Sequence, residues 1–236
     1  MIAASDKSTM VHKLPKAKLV TDRNNFVVEY CTGKSVLHLG CAADGTAENF
    51  AERGIHLHLQ LLVRSKRVIG LDTSEAALNV LRERGVEDLI RWDVERLLEL
   101  NLDGPIDVIV LGEILEHLAN PGLCLHGLAS YMAKFNATSV ITVPNAFSVR
   151  HLLCVALKRT ELVWPDHTAY YSIATLGSLL NRYGLVIEEI AMYSNVGTVE
   201  NRLKRLAKIC FNKTILAASP LIAEGIIAVV KQKPSR

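Results

Sequence analysis

The sequence predicts an α/β fold in which seven strands form a mostly parallel sheet with helices on both faces. Apolar runs of strand length alternate with segments of helical spacing along most of the chain. Runs such as 67–72 are almost continuously apolar, as expected of parallel strands that are buried on both faces. Strands that each precede a helical pattern favour right-handed βαβ units. The chain shows no internal repeat or low-complexity linker, so we interpret residues 1–236 as a single domain.

Each element follows from its residues. Residues 1–20 lack periodicity and are expected to form a flexible arm. The strands are predicted at 35–39, 67–72, 89–92, 106–111, 139–143, 185–193 and 225–231. The helices are predicted from Asp22 to Gly33, over 50–62, from Thr73 or Ser74 to Arg84, after Pro121, from Ser172 to Gly184, and over 196–218. Segment 146–170 departs from this alternation of strand and helix patterns and is interpreted as an insertion.

The composition favours a protein of the reducing cytoplasm. Half of the 236 residues are hydrophobic, at 50%, which supplies a sizeable core. The 5 cysteines are an odd number without Cys-x-x-Cys spacing, which argues against a disulfide framework and a structural zinc site. The sequence predicts neither a signal peptide nor a bilayer-crossing segment. Residues 201–236 are strongly basic, and we interpret this tail as a solvated helix face.

The stretch from Val36 to Gly45 is predicted to bind a nucleotide-like ligand. It runs from a strand into a turn that carries Gly40 and Gly45, and a helical segment follows from Ala47. Glycine lets the backbone approach a ligand closely, and the helix N-terminus presents free N–H groups. Ligands of open parallel sheets bind beyond the carboxyl ends of the strands. The polar residues that follow the other strands are therefore candidates as well, namely Asp72, Asp93, Glu113 and Asn145.

Two of these carboxylates suit a nucleoside. Asp72 follows Gly45 at the distance of a one-helix crossover, and its carboxylate is expected to accept hydrogen bonds from both ribose hydroxyls. Asp93 is expected to accept from an adenine amino group while the neighbouring Val94 packs on the ring. The alternative for Asp93 is an ordinary cap after a strand, and the residues favour neither interpretation.

These motifs resemble those of class I S-adenosylmethionine-dependent methyltransferases. The resemblance extends over roughly residues 22–231 and includes residues 106–118 and the Thr-Val-Pro-Asn of 142–145. The resemblance implies a Rossmann-like sheet whose last strand is antiparallel, with S-adenosyl-L-methionine as cofactor. It implies a cofactor site made of Gly40, Cys41, Ala42, Asp44, Gly45, Asp72, Thr73, Asp93, Val94 and Gly112. His38 stands where the family usually has an acid, and Ala42 and Asp44 stand where it has glycines. Contact with the methionine ammonium is therefore expected to be weaker or to pass to Asp44.

Glu113, Glu116 and His117 stand at i, i+3 and i+4, which places them on one face if the segment is helical. The group resembles the Glu-x-x-Glu-His of small-RNA 3′-terminal 2′-O-methyltransferases and of ubiquinone-pathway O-methyltransferases. That resemblance implies a divalent metal such as Mg²⁺, with His167 as a further ligand. Without a metal, His117 acts as a general base that the glutamates orient. In a third interpretation the group only caps a helix and anchors a loop.

The function that we favour is transfer of a methyl group to a hydroxyl oxygen of a small molecule or glycan precursor. A weakly acidic hydroxyl needs a base, which His117 and His167 are suited to provide. The insertions 146–170 and 196–218 are predicted to form the acceptor pocket. Three alternatives stay open: an RNA 2′-O-methyltransferase that uses the basic tail, a nicotinamide-dependent oxidoreductase, and a non-catalytic protein that binds an adenosyl ligand.

Overall fold

Eight strands form one sheet in the computed structural model, which describes residues 13–43, 45–195 and 201–234. The strands are β1 (Lys18–Val20), β2 (Ser35–Leu39), β3 (Arg67–Asp72), β4 (Leu89–Arg91), β5 (Val108–Gly112), β6 (Thr138–Pro144), β7 (Leu185–Tyr193) and β8 (Gly225–Gln232). Their order across the sheet is β1-β7-β8-β6-β5-β2-β3-β4. Strand β8 runs antiparallel to β6 and β7, and the other pairs are parallel. The predicted mostly parallel sheet with an antiparallel last strand is therefore confirmed.

The predicted number of seven strands is wrong, because β1 adds an eighth. This three-residue strand pairs in parallel with β7, with Lys18 opposite Ala191. It lies within the segment predicted to be a flexible arm, so an arm that extends to residue 20 is also incorrect. Residues 1–12 of the predicted arm lie outside the described residues. A three-residue edge strand is too short to show alternation, and only its partner strand defines it.

The helices differ from their predictions mainly at their ends. They are α1 (Arg23–Cys31), α2 (Ala47–Glu52), α3 (Leu57–Arg64), α4 (Glu75–Arg82), α5 (Pro121–Phe135), α6 (Val149–Leu153), α7 (Ile173–Arg182) and α8 (Arg202–Phe211). The helix predicted over 50–62 is instead divided between α2 and α3. Gly54 lies between them with φ +65°, a left-handed conformation that cannot continue a helix. None of the described helices has the length and apolar character that a bilayer crossing requires.

Alternate residues of the central strands supply the cores on the two faces of the sheet. Leu37 and Leu39 of β2 belong to a large cluster that also contains Leu125 of α5 and Leu180 of α7. Val36 points to the opposite face and joins a cluster with side chains of α1 and α3. Because successive strand residues point to opposite faces, one continuously apolar strand fills both layers.

The strand order fixes where a ligand can bind. The chain proceeds from β2 outward to β3 and β4, and then returns to β5 and β6 on the other side of β2. The order therefore reverses between β2 and β5, which creates a crevice beyond the carboxyl ends of these two strands. Gly40 follows β2 at this edge, and Gly112 is the last residue of β5.

Candidate active site

The glycine turn after β2 is held against the end of β3 by backbone hydrogen bonds. The N–H groups of Gly40 and Cys41 both donate to the carbonyl of Leu71, at 2.8 and 3.0 Å. Gly40 has φ +69°, and a Cβ at this position would lie 2.7 Å from Cδ1 of Ile114. A side chain there is opposed by both the backbone conformation and the neighbouring loop. Gly45, also predicted to bind the cofactor, is exposed and has φ +71°, whereas Asp44 lies outside the described residues.

Asp72 connects the glycine turn to the start of α4. Its Oδ2 accepts a hydrogen bond from the N–H of Ala42 at 2.8 Å, and its Oδ1 accepts from the N–H of Ser74 at 3.0 Å. Ser74 caps α4, since its side chain accepts from the N–H of Ala77. Each carboxylate oxygen can accept a further bond, because an ionised carboxylate has about four acceptor positions. The arrangement therefore leaves Asp72 able to bind hydroxyl groups in the crevice.

Asp93 lies beside a cavity between the ends of β3 and β4. The cavity has a volume of about 310 Å³ and is lined by Thr73, Arg91, Trp92, Asp93 and Arg96. Asp93 is exposed and accepts a hydrogen bond from the N–H of Glu95 at 2.9 Å, while Val94 is buried. Both interpretations of Asp93 thus have a geometric basis, because the residue caps a 3₁₀ helix and also borders a cavity next to Thr73.

His38, at the position of the family's usual acid, is buried and paired with a second histidine. Its Nδ1 lies 3.2 Å from Nδ1 of His58, and the two rings stack with their centroids 5.4 Å apart. Burial, followed by the charges of neighbouring histidines, lowers the pKa of His38 well below its ordinary value, and the same causes lower the pKa of His58 to about 3. The pair is therefore uncharged at neutral pH. The expected weak contact with a ligand ammonium stays a prediction.

Glu113, Glu116 and His117 lie on the loop between β5 and α5, so the prediction that a helix aligns them is wrong. Glu113 has φ +58°, which is incompatible with an α-helix. The N–H of His117 donates to the carbonyl of Ile114 at 3.0 Å and closes a turn. Glu113 is held instead by Arg23 at the start of α1, with Nη1 of Arg23 3.7 Å from Oε1 of Glu113. The turn, rather than a helical face, orients these side chains.

Glu116 is fully buried, and neither of its carboxylate oxygens has a hydrogen-bond partner among the described residues. Burial and then the charge of Glu113 raise the pKa of Glu116 to about 9. Its main chain is anchored, because the N–H and Oγ1 of Thr168 donate to the Glu116 carbonyl at 2.7 and 3.0 Å. A buried carboxyl group without a donor is costly, so this position calls for a proton or a cation.

His117 lies between Glu116 and the insertion 146–170. Nδ1 of His117 is 2.7 Å from Oδ2 of Asp166, and the ring of His117 meets that of His167 edge-on, with centroids 4.5 Å apart. Atoms of Glu116, His117 and His167 that can ligate a metal lie within 4.8 Å of one another. Burial, and then the proximity of His117, lowers the pKa of His167, which keeps its imidazole available as a neutral ligand.

The structure thus brings together most of the predicted residues in two groups along one edge of the sheet. Glu113 contacts Arg23 and is not among the clustered ligand atoms, in contrast to the four-residue metal site that was predicted. The contacts that Arg23, His58 and Asp166 make with site residues were not predicted from the sequence. Asp166 directly precedes His167, which was a signal that it lies near the site. Nothing in the sequence links Asp166 to His117, 49 residues earlier.

Over residues 11–190 the chain matches the family described as "Methyltransferase domain". The chain belongs to this family. The match extends over more than half of the sequence and confirms the predicted methyltransferase class. It gives no support to the alternative of a nicotinamide-dependent oxidoreductase.

Curated relatives carry the name ubiquinone biosynthesis O-methyltransferase. The chain is 35% identical to the protein of Hahella chejuensis over 94 residues, which are 38% of this chain and 34% of that protein. It is 27% identical to the protein of Azotobacter vinelandii over 201 residues, which are 79% of this chain and 78% of that protein. The match to the Hahella protein thus spans about a third of that relative's length.

Solved structures show the same fold. A SAM-dependent methyltransferase from Archaeoglobus fulgidus superimposes with a TM-score of 0.53 at 19% identity. The superposition covers 89% of this chain and 91% of that one. At this identity the similarity establishes the shared architecture of the sheet and helices.

Proposed function

We propose that this protein transfers the methyl group of S-adenosyl-L-methionine to a hydroxyl oxygen of a small molecule or glycan precursor. The observation that carries the proposal is the crevice beside the glycine turn, where Asp72 is fixed by two backbone N–H donors at the carboxyl end of β3. Membership of the methyltransferase-domain family and the names of the O-methyltransferase relatives support it.

The cofactor residues follow from the crevice. In this proposal the methionine part lies against Gly40, Cys41 and Ala42, and the ribose hydroxyls donate to Asp72. The adenine ring enters the cavity between Thr73 and Asp93. Gly112 is the last residue of β5, next to the crevice, and a Cβ on it would lie 3.1 Å from Cδ2 of Leu57 and 3.7 Å from Nε2 of His38.

His117 is the proposed general base. Asp166 accepts a hydrogen bond from Nδ1–H of His117, which leaves Nε2 as the basic nitrogen. This nitrogen takes the proton of the acceptor hydroxyl as the oxygen forms its bond to the methyl carbon. The bond from carbon to the sulfonium breaks with its electron pair on sulfur, and S-adenosylhomocysteine leaves. The sulfonium methyl is already electrophilic, so alignment of the two reactants supplies much of the acceleration.

A metal-assisted form of the same reaction is the second candidate, and the buried carboxyl group of Glu116 favours it. Its two oxygens and Nδ1 of His167 are buried without hydrogen-bond partners in the part of the chain that the structure describes. One carboxylate and two imidazoles are chemically suited to a divalent cation, and their ligand atoms lie within 4.8 Å of one another. When bound, such a cation would lower the pKa of the acceptor hydroxyl.

The acceptor would enter from the side of insertions 146–170 and 196–218. Helix α6 lies in the first insertion and α8 in the second, whose residues 196–200 are outside the described part. A cavity of about 550 Å³ between them has mostly apolar walls that include Val149, Phe211 and Leu216. This lining favours an acceptor with an apolar part.

The test is a methyl-transfer screen with isotopically labelled S-adenosyl-L-methionine, carried out with and without EDTA. Phenolic and aliphatic hydroxyl compounds, glycan precursors and short RNA oligonucleotides are offered as separate acceptor groups. We expect label in a small hydroxyl compound. Labelled RNA would support the 2′-O-methyltransferase alternative, and an EDTA-sensitive signal would favour the metal-assisted form. Absence of cofactor binding would instead support the non-catalytic alternative.

A further inference from the structure

The cavity of about 550 Å³ lies at the same edge of the sheet as the crevice. Ser194 directly follows the carboxyl end of β7, and Glu224 directly precedes the antiparallel β8, so both line the cavity from this edge. Ser148 lies shortly after β6, and β6 is the neighbour of β5, which borders the crevice. The cavity and the crevice are therefore adjacent along one edge of the sheet.

A row of aromatic rings connects α6 with the proposed general base. The ring of His151 on α6 lies 5.5 Å from that of Tyr170, and the ring of Tyr170 lies 6.2 Å from that of His167. The ring of His167 in turn lies 4.5 Å from that of His117. Because α6 also supplies Val149 to the cavity wall, a compound bound in the cavity would lie on the acceptor side of the proposed site.

Most of the cavity wall is apolar. The apolar part is formed by Val149, Ala207, Phe211, Leu216, Ile222 and Ala223. The volume is in the range of small-molecule sites, which is about 300–1,000 Å³. Ser148 adds a polar contact, since it is only 1% exposed and its side chain does not cap α6. The wall therefore suits a compact apolar body with few polar groups.

Of the four charged side chains that line the cavity, only Glu224 is negative. Its charge is already compensated, since Nζ of Lys208 lies 2.7 and 2.9 Å from its two carboxylate oxygens. The N–H of Asn195 also donates to Oε2 of Glu224, at 3.1 Å. Arg150 and Lys204 form no ion pair within the part of the chain that the structure describes. The cavity thus has two positive charges without a counter-charge.

We propose that the methyl acceptor carries an anionic group, a carboxylate or a phosphate, which Arg150 and Lys204 bind. This inference rests on the proposed function and narrows its acceptor to hydroxyl compounds with a negative charge and an apolar body. A guanidinium can donate two parallel hydrogen bonds to either anion, and an ammonium adds a point charge. Arg150 lies on α6 and Lys204 on α8, so the anion would bridge the two helices.

The balance of charge distinguishes this acceptor from a neutral one. A cleft lined by charge of one sign concentrates ligands of the opposite sign. A neutral acceptor would fill the apolar part of the cavity but would leave both cations without a partner. An apolar anion uses the apolar wall and the two cations together. Its hydroxyl group would then point away from the cations, toward His117.

Matched pairs of hydroxyl compounds test the inference. The probes are hydroxybenzoates and hydroxyalkanoates, each paired with its primary amide, and hydroxyphenyl phosphates paired with the parent diphenols. Transfer of label from S-adenosyl-L-methionine is measured for each compound, and isothermal titration measures its binding to the complex of the protein with S-adenosylhomocysteine. We expect the anion of a pair to bind more tightly and to have the lower KM.

A variant of the cavity should remove this preference. In Arg150→Gln, Lys204→Gln we expect the KM of the anionic acceptor to rise about tenfold with nearly unchanged kcat, because each solvated ion pair contributes about threefold. The KM of the neutral partner should not change. Arg202→Gln, Arg205→Gln is the control, since both arginines are exposed on α8 and neither lines the cavity. It removes as much charge from the protein and should keep the wild-type KM. Circular dichroism establishes that both variants are folded.

Two results would overturn the inference and leave the proposed function intact. One is equal binding of the anion and its neutral partner to the complex with S-adenosylhomocysteine. The other is an equal loss of affinity in the cavity variant and the control, which would show general electrostatic attraction. Failure of S-adenosylhomocysteine to bind at all would instead overturn the proposed function, and the inference with it.

Discussion

Replacing Asp72 with alanine is expected to abolish most of the affinity for the adenosyl cofactor. The proposal gives this carboxylate two hydrogen bonds from ribose hydroxyls, and a hydrogen bond to a charged group contributes about 1.5–3 kcal/mol. The loss is therefore about 3–6 kcal/mol, or about 10²- to 10⁴-fold in Kd. The same change also removes the acceptor of the Ala42 and Ser74 N–H groups, which costs about 1–3 kcal/mol of stability for each donor that stays unpaired.

Isothermal titration with S-adenosylhomocysteine and with its 2′-deoxyribose analogue separates these two effects. If Asp72 binds the ribose, the analogue binds the wild type more weakly than S-adenosylhomocysteine does, but the two ligands bind Asp72→Ala equally. An Asp88→Ala variant is the control, because this carboxylate is exposed and pairs with Arg67 at 2.8 Å on the surface. A folded Asp72→Ala protein with the wild-type Kd would refute the assignment.

Three further predictions concern the other site residues. As pH rises from about 4.5 to 9, the wild type should lose stability relative to Glu116→Gln. Burial raises the pKa of Glu116 to about 9 in the folded protein, whereas in the unfolded chain the same carboxyl group loses its proton near its ordinary pKa. Thermal unfolding in EDTA measures this difference in stability, and a difference that does not vary with pH would contradict the raised pKa of Glu116. For His117→Ala we expect turnover to fall about 10²- to 10⁴-fold with an unchanged cofactor Kd, and unchanged turnover would exclude His117 as the general base. Gly40→Ala should lower the melting temperature more than Gly85→Ala, since both have positive φ but only at Gly40 would the new Cβ meet another side chain. Equal losses would count against the close contact at the glycine turn.

The sequence was sufficient to place the central strands. Strand β7 runs from Leu185 to Tyr193 and β2 from Ser35 to Leu39, as predicted, and β3 ends at Asp72. Strands β2 and β3 are buried along almost their whole length, so their apolar residues leave a continuous signal that does not depend on the rest of the fold. Since the strand ends determine the crevice, the location of the predicted cofactor site follows from the same signal.

Local patterns failed where a single backbone conformation or a distant partner decides the structure. A left-handed residue at Gly54 divides a segment whose apolar spacing suited one helix, and a left-handed Glu113 replaces a predicted helical face by a turn. β1 depends on pairing with a strand about 170 residues later along the chain. The contact between His117 and Asp166 similarly depends on how insertion 146–170 folds back, which spacing alone does not define.

A crystal structure of the protein with S-adenosylhomocysteine tests the central claim most directly. We predict that the ribose hydroxyls lie on the carboxylate of Asp72, the adenine beside Asp93 and the homocysteine part along Gly40 to Ala42. Density for the ligand elsewhere, or a crevice filled by protein side chains at saturating ligand, would contradict it.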